Sequence, residues 1–136
     1  MPGIVALGPM AGVTDLPFRT LCKECGADLI DTEMVSAKGL VYGGRNTEDL
    51  LATTPLEGEK LEDGSNVTDH PLVVQIFGAE AEFMEQAVQI LKHRGFEWFD
   101  VNMGRNASAG CLSASLAMYS RSSGIFLSPR AIEVIR

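Results

Sequence analysis

Apolar residues fall along this chain in short continuous runs that alternate with longer one-sided patterns. Ile4-Val5-Ala6-Leu7 is an unbroken apolar run ended by Gly8-Pro9, and it predicts a buried strand. Thr14 or Asp15 can then cap a helix over Leu16–Cys25, with Pro17 in its first turn and Gly26 at its end. Leu29-Ile30 with its polar exit "DTEM" predicts a second strand, and Lys38–Tyr42 can open a short helix. "PLVVQIFG" is the clearest strand, because its almost continuous apolar character fits a sheet covered on both faces. Ala79–Arg94 places Phe83, Ala87, Ile90 and Leu91 on one side of a helix that Gly95 ends. "FEWFDVNMG" is a further strand that ends in polar residues and glycine.

Between these elements, residues 43–70 are polar and predict a long connection with one helical turn near Glu48–Ala52. Within it, "EGEKLEDGSNVTDHP" reads as a solvated loop. Strands alternating with helices imply a parallel sheet with helical crossovers. No GxGxxG follows the first strand and there is no P-loop, so a dinucleotide site of the usual kind is not supported. In a (β/α) barrel the chemistry gathers at the C-terminal ends of the strands. Four such ends are readable: "GPMAG", "DTEM", "QIFG" and "NMG".

Composition narrows the classes. The 136 residues are 46% hydrophobic, enough for one ordinary core. The formal charge of −7 argues against a generic basic nucleic-acid surface. That charge is uneven: residues 1–104 hold seven basic and seventeen acidic side chains, residues 105–136 four basic and one acidic. No apolar run approaches the roughly 20 residues of a membrane span, and Met1–Met10 lacks the basic start of a secretory signal. Three cysteines do not suggest a disulfide framework, so a reducing, cytoplasmic setting is expected. Cys22-Lys23-Glu24-Cys25 is a CxxC late in a predicted helix with no second ligand pair, which fits neither a zinc site nor a redox site. No metal is expected. His70 falls in a loop, and His93 at a helix C-terminus where a cation is favoured.

"GPMAGVTDLPFRTLCKECGADLIDTEMVSAKGL", "VVQIFG" and "FDVNMG", in order and spacing over residues 4–104, resemble the tRNA-dihydrouridine synthase family. The resemblance implies an FMN-binding (β/α)8 TIM barrel that reduces the C5–C6 double bond of uridines in tRNA, with NADPH reducing the flavin. It implies that Pro9, Met10 and Ala11 lie along the isoalloxazine ring; small residues after a strand also let a flat ligand approach the backbone. It gives Gln75 the polar edge of the flavin, where the alternative is a satisfied core amide. Asn102 takes the substrate uracil, against a plain turn-forming role. Glu33 either shapes the site or is a solvated or capping acid, and Arg19 is expected to be structural.

The pattern breaks after Gly104. The family runs into N-x-G-C-P there, and its cysteine is the acid that protonates C5 while hydride reaches C6 from the flavin. This chain has Arg105 in that place and Asn106 where the proline belongs. Arginine stays charged and cannot act as that acid. Cys111 is the nearest thiol and the candidate catalytic acid, displaced from the family position. Residues 105–123 are then a divergent loop, a local frame error, or the mark of a spliced or fragmentary product. At 124–136, "GIFLSPRAIEVIR" resumes the family's helix entry. The expected architecture is therefore α/β: the N-terminal half of a barrel, one partial FMN-binding domain over 1–136. A half barrel exposes the edge of its fourth strand, so the isolated chain is expected to bind FMN weakly or not at all. Two other classes stay open: a non-catalytic half-barrel interaction protein, and a thiol oxidoreductase using Cys22 and Cys25.

Overall fold

The computed structural model describes residues 3–102 and the backbone of 115–118. The elements run β1 (Ala6–Leu7), α1 (Leu16–Glu24), β2 (Leu29–Asp31), β3 (Val35–Ser36), α2 (Ala37–Val41), α3 (Thr47–Leu50), β4 (Leu72–Phe77), α4 (Ala81–His93), β5 (Trp98–Asn102) and β6 (Ser115–Met118). Strands β1, β2, β4 and β5 are parallel neighbours in that order, as the strand–helix alternation predicted. This α/β architecture has the repeating unit of a (β/α) barrel.

Local chemistry explains the element ends. Asp15, not Thr14, caps α1: its carboxylate accepts the Phe18 N–H at 3.0 Å. Thr14 instead closes the turn after β1, donating its hydroxyl to the Met10 carbonyl at 3.1 Å. Ser36 caps α2 through the Gly39 N–H at 3.1 Å. Glu80 caps α4 without a side-chain bond, and that helix starts two residues later than its apolar pattern predicted.

The two faces of the sheet differ in chemistry. Val74, Ile76 and Phe99 turn to one side and pack against Ala37 and Leu40 of α2 and Ala87 and Leu91 of α4. Gly78 lets these layers meet, since a Cβ there would stand 3.0 Å from Met84 Sδ and 3.3 Å from Ala37 Cβ. Paired residues of parallel strands share a face. The opposite face therefore carries Asp31 with Val73, Gln75 with Asp100, and Phe77 with Asn102.

Three expectations are corrected. The segment read as a solvated loop is buried at its end: Thr68 is 4% exposed and Asp69 0%. A polar residue can be interior when its hydrogen bonds are met, and Asp69 has them met by Arg19 and Thr54. The edge of β5, expected to lie open, is paired along Phe99–Asn102 by β6, which supplies the backbone partners an edge lacks. That antiparallel pairing also places a strand inside the stretch read as a divergent loop.

Arg19 is structural, as expected. It is 1% exposed, and its Nε and Nη2 donate to Asp69 Oδ2 at 3.3 and 3.1 Å. Nη1 donates to the Thr14 carbonyl at 3.0 Å, and Nη2 also to the Ala52 carbonyl. Asp69 Oδ1 accepts from the Thr54 N–H at 3.0 Å and from the Thr54 hydroxyl. This network fastens the 52–69 connection to the first helix.

Candidate functional site

Because β1, β2, β4 and β5 run parallel, their C-terminal ends lie along one edge of the sheet. The turn after β1 presents Met10 and Ala11 to solvent with Pro9 half-buried beneath them. Gly12 closes the turn at φ +73°, a conformation that disfavours any residue with a Cβ. Its N–H donates to Glu33 Oε2 at 2.6 Å. Glu33 is thus neither a free surface acid nor a helix cap. It ties the turn after β1 to the exit of β2, the site-shaping alternative.

The exit of β2 is bulged. Asp31 pairs with Val73 and Val35 with Ile76, so four residues on one strand span three on the other. An extra residue of this kind bends the strand and re-aims its side chains. Thr32 compensates inside the bulge, its hydroxyl accepting the Gln75 N–H at 3.1 Å. The bulge sends Val35 to the helix-packed face and leaves Glu33 and Met34 at the strand-end edge.

Gln75 and Asn102 meet there. Gln75 is 1% exposed; its Nε2 donates to Asp100 Oδ2, and its Oε1 stands 3.4 Å from Asn102 Nδ2. Asn102 Nδ2 also lies 3.1 Å from Met34 Sδ. The two amides singled out from sequence are therefore in contact, although 27 residues separate them. A groove of about 390 Å³ opens beside Met34 and Phe77, with Arg45 on its rim. A larger groove of about 580 Å³ runs along α4 and includes none of the strand-end residues.

Two acids behind these amides were missed by sequence reasoning. Asp100 is 5% exposed, and its Oδ1 has no hydrogen-bond partner among the described residues. Asp31 lies on the same face. Burial, and then the charge of Asp100, push its carboxyl from 3.8 up to about 7. The signal that singled out Gln75, a polar residue inside an apolar strand, applies equally to "LID" and "WFDVN" and would have found both.

Arg105 and Cys111 lie outside the described residues. Cys22 is half-buried, and Cys25 is exposed at the C-cap of α1. His70 Nε2 lies 2.8 Å from the Thr54 carbonyl, and His93 is exposed with Nδ1 2.7 Å from the Gln89 carbonyl. Among the described residues no three metal-ligating side chains gather, and no helix is long and apolar enough to cross a membrane.

The family model described as dihydrouridine synthase (Dus) matches residues 4–107, ending three residues beyond Gly104, where the pattern breaks. The tRNA-dihydrouridine synthase B of Pseudomonas aeruginosa is 34% identical over 115 residues, 85% of this chain and 31% of that protein. A probable tRNA-dihydrouridine synthase of Helicobacter pylori J99 is 33% identical over 119 residues, 88% of this chain and 31% of its own length. Another from Rhizobium leguminosarum is 37% identical over 100 residues, 74% of this chain and 27% of its own. The chain thus spans about a third of the length of the curated relatives it matches. Matched across three quarters of its residues by that family model, the chain belongs to the dihydrouridine synthase family.

Proposed function

We propose that this chain forms the flavin- and uridine-facing part of an FMN-dependent tRNA-dihydrouridine synthase working in the cytoplasm. The observation that carries the reading is the meeting of Gln75 and Asn102 at the C-terminal edge of a parallel sheet. The residues present fit a flat, polar-edged ring. Met10 and Ala11 are exposed at an open turn, where no heavy atom comes within 4 Å of a Cβ built on Gly12. Pro9, Met10, Ala11 and Gln75 would hold FMN. Bound there, FMN supplies the hydride that saturates the C5–C6 bond of uridine in tRNA, and NADPH is its reductant.

The chain's own groups do the rest. Asn102 orients the uracil, since an amide offers a donor and an acceptor side by side. Glu33 holds the ring-facing turn in shape through Gly12. Cys111 is assigned the proton delivered to C5, as a thiol stays protonated near neutral pH yet releases its proton readily.

The test is dihydrouridine content in tRNA from cells stripped of their own synthases and given a chimera in which this chain replaces the matching part of a full-length relative. Dihydrouridine should appear with the wild-type chain and be lost with Cys111→Ala. The presence of Arg105 in the family's cysteine position favours a second reading, a non-catalytic member. Absence of dihydrouridine with well-expressed, folded chain selects that reading.

A further inference from the structure

Behind the two amides lies an asymmetry of protons. A carboxylate only accepts hydrogen bonds, whereas a primary amide has one donating end and one accepting end. Which way the Gln75 amide faces is therefore decided by its neighbour Asp100. An ionised Asp100 calls for the nitrogen of Gln75, which leaves the oxygen for the Asn102 N–H; both contacts are present. A protonated Asp100 can donate to the Gln75 oxygen as well as accept from its nitrogen, so it leaves the orientation unfixed.

Asp31 bears on that choice. Two carboxyls on one buried face do not readily ionise together, and burial, then the charge of Asp100, push the Asp31 carboxyl up to about 7. Asp100 is the charged group that acts on it. On that face the neighbouring strand positions are Leu29 of β2, Ala6 of β1, and Val73 and Gln75 of β4, none of them charged.

We propose that Asp100 is a positioning residue: its carboxylate fixes the Gln75 amide with nitrogen toward Asp100 and oxygen toward Asn102, and so sets which hydrogen-bonding edges the two amides offer to flavin and uracil. The consequence for flavin and uracil rests on the function proposed above; the amide orientation does not.

The test is nitrogen-15 NMR of the side-chain amides in the full chain, with Gln75 and Asn102 assigned by their loss in Gln75→Leu and Asn102→Leu. In the wild type the Gln75 amide is shifted and exchanges at least about tenfold more slowly than an exposed glutamine, as a hydrogen bond to a charged group requires. Asp100→Ala moves both amide signals and removes the slow exchange. Asp100→Asn, whose uncharged amide can meet Gln75 with either end, restores them only in part. If Gln75 is unmoved by Asp100→Ala in a chain whose backbone spectrum stays native, the proposal is wrong. Should Asp100→Ala fail to fold, carbon-13 carboxyl shifts of the wild type decide. Asp100 ionised at about pH 6 supports the orientation, and Asp100 protonated there overturns it. Failure of the flavin reading shows separately, as absence of dihydrouridine from tRNA while the amide signals keep their expected pattern.

Discussion

Replacing Arg19 by methionine should be among the most costly single changes in this chain. Methionine preserves much of the stem's volume but removes the guanidinium from a position that is 1% exposed. Asp69, fully buried, then loses two donors and its arginine partner, and the His70 ring stays 3.8 Å away. The Thr14 and Ala52 carbonyls lose their contacts with the guanidinium as well. Breaking a buried pair from one side costs about 3–5 kcal/mol. The lower end, about 3 kcal/mol, is expected here because the Thr54 N–H and hydroxyl still bond Asp69 Oδ1. The companion Arg19→Met/Asp69→Asn removes both charges, so it should cost less than the sum of the single changes by about 2 kcal/mol. Urea unfolding followed by circular dichroism reads these values. With a slope of about 1–3 kcal/mol per molar, Arg19→Met should lower the midpoint by at least about 1 M. A loss below about 1 kcal/mol, or additivity within about 0.5 kcal/mol, would refute the claim that the pair acts as a unit.

Two further outcomes follow from the strand-end chemistry. Asp31 titrates near 3.8 when unfolded and about 7 when folded, so the folded state binds the extra proton between those values. The stability this gives is fully present below about pH 4 and is lost as pH rises through 7. Asp31→Asn should flatten that dependence and exceed the wild type in stability at about pH 8, by about 1–2 kcal/mol once solvent screening of a half-buried group is allowed for. Equal urea midpoints at that pH would contradict it. Glu33→Leu removes the acceptor of the Gly12 N–H, and hydrogen exchange at that amide should quicken about tenfold while Glu33→Gln keeps it protected.

Much of the strand–helix order was readable because it is local. Leu72–Phe77 is a strand because its residues are apolar at every position but one, and Ala81–His93 is a helix because Phe83, Ala87, Ile90 and Leu91 recur along one side. Gln75 and Asn102 stood out as polar residues at or near strand ends, and the structure brings them together. Asp69 was misread for the opposite reason: its segment is polar, and polarity alone does not reveal a partner 50 residues away. The N-terminal boundary of α4 was two residues early because Ala79 and Glu80 suit a helix as well as an approach to one.

The sequence by itself determined the order of strands and helices, and hence that four strand ends could share one edge, because periodicity and parallel connection are carried by neighbouring residues. Only the tertiary structure decided the bulge at 32–34, which depends on the register of β2 and β3 against β4. Likewise, only the fold could raise the Asp31 carboxyl toward neutrality. Burial and cross-strand charge cause that rise, and both come into being when distant segments pack.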